Sequence, residues 1–403
     1  MKVLYLTDSL SDLDGVGRYT VCLLQALEAA RPDFEPRVHL ARKHRPTSAD
    51  VPQHWPVAVT LPPDYFFYMA RSRFWPSLVQ STWRVARAAR HVDLVHGIKD
   101  YPHNLVGLLG ARLAGKPFVA TAHGTYTVQP LLDARHRRLS RWAYQRFDAM
   151  ITVSRYTARR LAEVLGQSVD EVGSLHVGRA HVTTVPNCVD PAPFERPAEV
   201  GRRPWHDWRF TLGIGELKER KGHHVALEAW ARVAAQRPDL HHVLVGNRPG
   251  DDYERSLLAI GEAHGVGDRL HLVGNVDEEE KRDLLQRCEA FVHTPVRAAD
   301  GGFEGFGIVY LEASACAKPV LGTLDCGAED AIVNETTGLL VEPNVEAASA
   351  GLARLVDDGD LRARLGRNGL AHARANTWAR NAERVLGVYS KVLARRTGTD
   401  TER

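Results

Sequence analysis

Glu304 and Glu312 stand eight residues apart in the run Phe303-Glu304-Gly305-Phe306-Gly307-Ile308-Val309-Tyr310-Leu311-Glu312-Ala313. Read as one helix, that spacing is a little over two turns and puts both carboxylates near one face. Glu304 then lies at the helix start, where the free N–H groups of Gly307 and Ile308 can receive a phosphate or sugar hydroxyls. Glu312, the one carboxylate in an apolar stretch, suits two adjacent hydroxyls such as a ribose presents. The plainer alternative is that Glu304 only caps the helix and Glu312 pairs with a lysine. A second candidate is the loop Asp8 to Gly17, ending Asp14-Gly15-Val16-Gly17-Arg18-Tyr19. Its glycines allow close backbone approach to an anion at the next helix start. It is longer than a dinucleotide fingerprint, and Thr20 replaces the third glycine, so a phosphate or substrate loop and a plain turn both remain open.

Metal chemistry finds little support. No DxD pair stands at a strand end; Asp251-Asp252 reads as a helix start. The five cysteines (22, 188, 288, 316 and 326) are scattered with no CxxC pair, which reads as reduced thiols. His223-His224 and His241-His242 are neighbours in sequence, a spacing that suits element surfaces better than a shared ion.

Residues of this kind need strand ends to hold them. Lys2–Thr7, Asp93–His96, Phe118–Ala122 and Ala149–Val153 read as buried strands. Val16–Ala30 is helical, and Ser154 caps the helix that starts near Tyr156. Strandless, proline-rich sequence follows from Pro186 to Pro204. Alternation resumes with Phe210–Ile214, Val243–Gly246, Leu270–Gly274, Ala290–His293, Val320–Gly322 and Leu339–Val341. Asp277 with Glu280 forms a capping box, and Trp378–Ala394 is a long final helix. Strand–helix alternation implies parallel sheets covered on both faces, here two doubly wound α/β units joined by a linker.

With 403 residues, 44 % hydrophobic and 25 % charged, the chain has material for about two ordinary globular domains. A net charge of +3 argues against nucleic-acid binding. The charge is unevenly spread: residues 1–200 hold 25 basic against 18 acidic side chains, the rest 27 against 31. Basic clusters such as Arg84, Arg87, Arg90 and Arg135, Arg137, Arg138, Arg141 are either solvated faces or a contact for an anionic membrane or acidic acceptor. No apolar run reaches ~18 residues, and MKVLYLTDSL turns polar too soon for a signal peptide, so a cytoplasmic protein is expected, peripheral at the inner membrane face if the basic clusters touch lipid.

Glu304-x7-Glu312 within EGFGIVYLEA, followed by Lys318-Pro319-Val320 and Gly338-Leu339-Leu340-Val341, resembles the family-four retaining glycosyltransferases of the GT-B fold. The resemblance runs on through His123-Gly124-Thr125, Ile151-Thr152-Val153-Ser154, the Asn187-Cys188-Val189-Asp190 turn and Lys221-Gly222, and is closest in wording to phosphatidylinositol mannosyltransferases and related bacterial hexosyltransferases. It implies two Rossmann-like domains facing a central cleft: 1–190 on the acceptor side, a linker 191–206, a nucleotide-sugar domain 207–375, and a C-terminal helix 376–403 returning to the first domain. It also implies roles. Glu312 holds the donor ribose. Glu304 contacts the transferred sugar, with backbone N–H groups of Phe306, Gly307 and Ile308 helping to hold sugar and diphosphate. His123 faces the sugar, Gly15 approaches the β-phosphate, Lys221 neutralises the departing diphosphate, and Val276 lies against the base. Hinge closure would bring these groups together. The activity implied is transfer of a hexose, mannose or glucose, from a nucleotide diphosphate sugar to a hydroxyl acceptor on a glycan or glycolipid, with no cofactor and no metal. A nucleotide-sugar epimerase and a non-catalytic sugar-nucleotide-binding subunit are the alternatives.

Two departures stand out. Glu216 occupies the position where the family usually has an arginine; Lys218 or Arg220 is expected to take over that charge while Glu216 pairs with a neighbour. Cys188 replaces the turn glycine, so this backbone position is expected not to need a positive φ. Six of the chain's 30 aromatic residues crowd into 65–75, beside Arg71 and Arg73. That segment is either a cover for the core or a flap for acceptor or membrane.

Overall fold

The structure, a computed structural model, describes residues 1–11, 14–41 and 51–397. Residues 12 and 13 of the first glycine loop and 398–403 of the terminal helical segment lie outside the described residues. The chain forms two compact units: Met1–Asn187 with Trp378–Arg403, and Cys188–Thr377.

The first unit carries β1 (Lys2–Thr7), β2 (Glu35–Leu40), β3 (Val57–Val59), β4 (Leu94–Gly97), β5 (Phe118–Ala122), β6 (Ala149–Thr152), β7 (Leu175–Val177) and β8 (Ala180–Thr184) in the order β3-β2-β1-β4-β5-β6-β8-β7. Every pairing is parallel except the β7–β8 hairpin. Four of these strands were missed. Pro36 interrupts the β2 pattern, and the hairpin is rich in His and Thr, so neither shows a plain apolar run. In the central strands β1, β4 and β5 nearly every residue is buried, as a sheet covered on both faces requires. The Trp378–Thr397 helix runs three residues further than its apolar pattern suggested. It packs along the Gly15–Ala30 helix and is pinned by a buried bond of 2.8 Å between the Tyr5 and Tyr389 hydroxyls.

The second unit holds β9 (Arg209–Ile214), β10 (Leu240–Val245), β11 (Leu270–Gly274), β12 (Ala290–Val292), β13 (Val320–Thr323) and β14 (Gly338–Val341), all parallel, in the order β11-β10-β9-β12-β13-β14. Residues 191–206, expected as a free linker, belong to this unit and contain a short helix Ala192–Glu195 and a turn Pro204–Asp207. They are anchored by Trp205 Nε1 donating to Asp283 at 2.7 Å and by Gln286 donating to the Arg196 carbonyl at 2.6 Å. Asp251 caps the Asp252–Ala263 helix through the Glu254 N–H, as its position at a helix start suggested. Asp277 likewise caps Glu278–Arg287, but only half of the expected box forms: the Glu280 carboxylate goes to Arg203 at 2.8 Å. Ser154 caps Arg155–Leu165 as expected, and Cys188 is not among the residues with positive φ.

In both sheets the strand order changes sense at the centre, between β1 and β4 and between β9 and β12, while the strands stay parallel. Loops leaving the carboxyl ends of the strands at such a switch point diverge and leave a crevice for a ligand.

Candidate active site

In the second unit the switch-point loops are those after β9 and β12. They bring together two of the residues singled out from sequence. Lys221 Nζ lies 2.5 Å from Glu304 Oε2, and Arg220 lies 3.6 Å from the same oxygen. Glu304 is 8 % exposed, so burial disfavours its charge. Lys221, His293 and Arg220 outweigh that and hold its carboxyl well below the usual carboxylate range.

Glu304 does not belong to the helix that carries Glu312. That helix is Ile308–Ala315, and Glu304 precedes it in the loop after β12. Gly307 ends the loop in the left-handed region at φ 84°, a conformation available to glycine without strain, and this break turns Glu304 away from the helix axis. The expectation of two carboxylates on one helical face is therefore corrected. Among the described residues, the backbone N–H groups of Phe306, Gly307 and Ile308 donate to no protein acceptor, so a helix start with open donors is present. Glu312 is 3 % exposed and lies 3.2 Å from Lys281 Nζ, which also meets Glu278 at 2.8 Å. The lysine pair expected of Glu312 is thus formed, with Lys281 as the partner.

Lys221 is placed by the short turn Glu219–Lys221, which locks onto the opposing loop. Val296 donates to the Arg220 carbonyl at 3.1 Å, and the Thr294 hydroxyl donates to the Gly222 carbonyl at 2.8 Å. Gly222 has φ 67°, and a Cβ there would stand 1.7 Å from the Thr294 carbonyl oxygen. Gly222→Ala is expected to destabilise this unit by about 2–4 kcal/mol, from left-handed strain plus displacement of a backbone segment, and to lower its melting temperature accordingly. Wild-type melting in that variant would show that the turn is not clamped in this way.

Glu216 pairs with Lys218 at 3.0 Å and lies 3.7 Å from Arg220. Lys218 is thus engaged with the very carboxylate it was expected to offset. Arg220, reaching both Glu216 and Glu304, is the cation that faces the site.

His293 was not foreseen. It is fully buried, with Nε2 3.6 Å from Glu304 Oε2. Burial lowers its pKa, against the pull of Glu304, so it is a neutral ring behind the carboxylate. Its place just after β12, beside the switch point, was the available signal. Val276 is half-buried in the turn after β11, at the sheet edge and two strands from β9.

The first unit holds the other two candidates. His123 follows β5 and precedes Gly124, the cap of the Thr125–Leu132 helix. Its ring packs edge-on to Tyr19 at 4.9 Å, while Nε2 has no partner. Burial takes its pKa down to about 4, with Asp8 opposing, so the imidazole is neutral near pH 7. Beneath it Asp8 pairs with Lys99, and Asp100 accepts from the Thr127 hydroxyl at 2.5 Å. Burial raises Asp100 to about 7. Gly15 opens the Gly15–Ala30 helix, which Asp14 caps through the Gly17 N–H; a Cβ on Gly15 would meet nothing within 4 Å. Among the described residues no three His, Cys, Asp or Glu side chains come together as a metal site.

Two family models account for most of the chain: Glycosyltransferase Family 4 over residues 13–193 and Glycosyl transferases group 1 over 203–372. With these two models and two parallel-sheet units, the protein is a family-four-like glycosyltransferase of the GT-B class. Among its relatives is the GDP-mannose-dependent monoacylated alpha-(1-6)-phosphatidylinositol monomannoside mannosyltransferase of Corynebacterium glutamicum, 27 % identical over 83 % of this chain and 82 % of that protein. The GDP-mannose-dependent alpha-(1-6)-phosphatidylinositol monomannoside mannosyltransferase of Mycolicibacterium smegmatis is 28 % identical over 72 % of this chain and 74 % of that one. In fold, the chain matches the HepE protein of Anabaena, solved with UDP and glucose, at a TM-score of 0.75 and 20 % identity, covering 97 % of this chain and all of that one.

Proposed function

We propose that this glycosyltransferase moves a mannose or glucose from its nucleotide diphosphate donor to a hydroxyl of a glycolipid or glycan acceptor, with retention and without metal or cofactor. The observation that carries the reading is the Lys221–Glu304–Arg220 cluster beside the open N–H groups of Phe306, Gly307 and Ile308. In a retaining transfer the costly event is departure of the diphosphate from an oxocarbenium-like sugar. Two cations and a row of aimed donors supply the positive potential that this departure needs. Glu304, ionised and buried, is suited to grip sugar hydroxyls as an acceptor. The leaving phosphate oxygen can take the proton of the incoming hydroxyl, so no second carboxylate is required. Arg220, rather than Lys218, replaces the charge lost at Glu216. The ribose role of Glu312 requires the hydroxyls to share that carboxylate with Lys281. His123, neutral and with Nε2 unpartnered, is fit to bond a sugar hydroxyl without adding charge.

The relatives' names favour GDP-mannose and the HepE complex UDP-glucose. Donor consumption with each, measured with and without a phosphatidylinositol mannoside acceptor, tests the reading. Acceptor-dependent consumption that survives excess EDTA is expected, with the product anomer matching the donor. Conversion without acceptor would mark an epimerase, no conversion of either donor a binding subunit, and rescue of an EDTA-treated enzyme by Mg²⁺ would overturn metal independence.

A peripheral membrane contact through the Arg71–Ala89 helix is part of this proposal. No helix among the described residues is long and apolar enough to cross a membrane. The aromatic segment divides. Phe66 and Phe74 stack at 4.6 Å in the core, while Tyr65, Tyr68 and Trp75 are at least half exposed. Trp75, Val79 and Trp83 recur every fourth residue on the exposed face, with Arg71, Arg84 and Arg87 also exposed on that helix. Aromatic side chains flanked by arginine suit the interface of an anionic bilayer. Flotation with phosphatidylglycerol vesicles at low salt is expected, and Trp75→Ser with Trp83→Ser is expected to abolish it. Equal flotation of that variant would remove this face from consideration.

A further inference from the structure

Away from the switch point, the first unit has a cavity of about 200 Å³ between β8 and the Trp378–Thr397 helix. Its floor is apolar, formed by Val185, Val388 and Val392, and its rim carries the cations Arg384, Lys391 and Arg395 from the helix beside the imidazole of His181 from β8. Lys391 and Arg395 are one turn apart, and Arg384 stands about 10 Å further along the same helix. Among the described residues neither Arg384 nor Lys391 has an ion-pair partner. His181 lies 3.3 Å from His176 and feels Lys391 and Arg395 as neighbouring charges, which with burial lower its pKa. The carboxylate acting on it is Asp170, which is already turned inward to accept from the Val172 and Ser174 backbone N–H groups. Positive groups are thus crowded around an apolar trough with no carboxylate among the side chains that line it. Such a site is complementary to a phosphate attached to a small carbon skeleton: the phosphate between Lys391, Arg395 and His181, the carbons on the valines.

We propose that this groove is a binding site for an organic phosphate monoester, distinct from the nucleotide-sugar site. The same chemistry is offered by a free small phosphate and by the phosphate headgroup of a lipid at a membrane surface. Gly387 lines the groove, and a Cβ there would meet nothing within 4 Å. Gly387→Leu therefore fills the trough without changing its charge, and favours the helix. Lys391→Glu reverses the charge without filling it.

The test is calorimetric titration of the full chain with glycerol 3-phosphate, together with sedimentation on phosphatidylcholine vesicles with and without phosphatidic acid, no donor or acceptor being present. One-to-one binding of glycerol 3-phosphate, weakened at least tenfold by both substitutions, is expected if the ligand is free. Binding only to phosphatidic acid vesicles, again lost in both variants, supports the lipid source. Binding lost in Lys391→Glu but intact in Gly387→Leu would show surface charge rather than a groove and overturn the proposal. So would vesicle binding unchanged in both variants, which would point to the Arg71–Ala89 face, or no binding to either probe by the wild type. Melting curves of both variants check that they are folded.

Discussion

Lys221→Ala is expected to lower turnover by about 10²–10³-fold, the loss typical when one aimed electrostatic group is removed from a transition state. The same change leaves Glu304 buried with Arg220 at 3.6 Å and a neutral His293 at 3.6 Å as its remaining company. Removing one partner of a buried ion pair costs about 3–5 kcal/mol, and Arg220 should keep the cost near the lower figure. Turnover and stability can be separated by a second substitution. In Lys221→Ala with Glu304→Gln no carboxylate is stranded, so most of the lost stability should return, while turnover should stay low because both groups are missing. Steady-state kinetics and thermal melting of the wild type, both single variants and the double variant read this out. Turnover within twofold of wild type in Lys221→Ala would remove the lysine from the chemistry, whatever happens to stability.

Mild acid should weaken both units through buried histidines that resist protonation. Burial holds His223 and His242 at about 3, far below the 6.5 of an unfolded histidine. The sign follows from proton counting. Below pH 6.5 the unfolded chain takes up protons that the folded one refuses, so stability falls from there down to the folded values, and above pH 6.5 these groups contribute nothing. Between pH 6.5 and 5.5 each such histidine costs about 1 kcal/mol, and the pair about 2. The first unit carries the same liability in His96, at about 3, and in His39, His103 and His123, each at about 4. There Asp100, raised to about 7 by burial, works in the opposite direction: folded, it binds a proton in this pH range that the unfolded carboxylate does not, and it offsets about one histidine. Hydrogen exchange resolved by unit, at pH 6.5 and 5.5, should show protection lost at the lower pH in Cys188–Thr377 as well as in the first unit. His242→Gln should reduce the proton uptake on unfolding that unit by close to one. An unchanged uptake would mean that His242 titrates normally despite its burial against Thr211, to which Nδ1 bonds at 2.8 Å.

Local signals in the chain were reliable where a single element generated them. The apolar runs of β1, β5 and β11 were read with the boundaries they have, and the caps Ser154, Asp251 and Asp277 were read correctly, because each depends on bonds made within three or four residues. The β7–β8 hairpin escaped notice because its polar side chains are tolerated only at the far end of the sheet, a position no local pattern encodes. Spacing also misplaced Glu304. Eight residues meant two turns only if the helix ran through Gly305 and Gly307, and the left-handed Gly307 stopped it short.

By itself, the order of residues determined two strand–helix units and the family to which the motifs point, and it singled out Glu304, Glu312, Lys218, Arg220 and Lys221 as candidates. Periodicity, caps and glycine punctuation are short-range effects that a linear string records. Only the folded chain decided how those groups are paired: Lys221 with Glu304 across 83 residues, Lys281 with Glu312, Lys218 with Glu216, and His293 behind Glu304. A buried charge selects whichever counter-ion the packing of distant loops brings within a few ångströms, and that distance is set by the sheet order, which the sequence does not spell out.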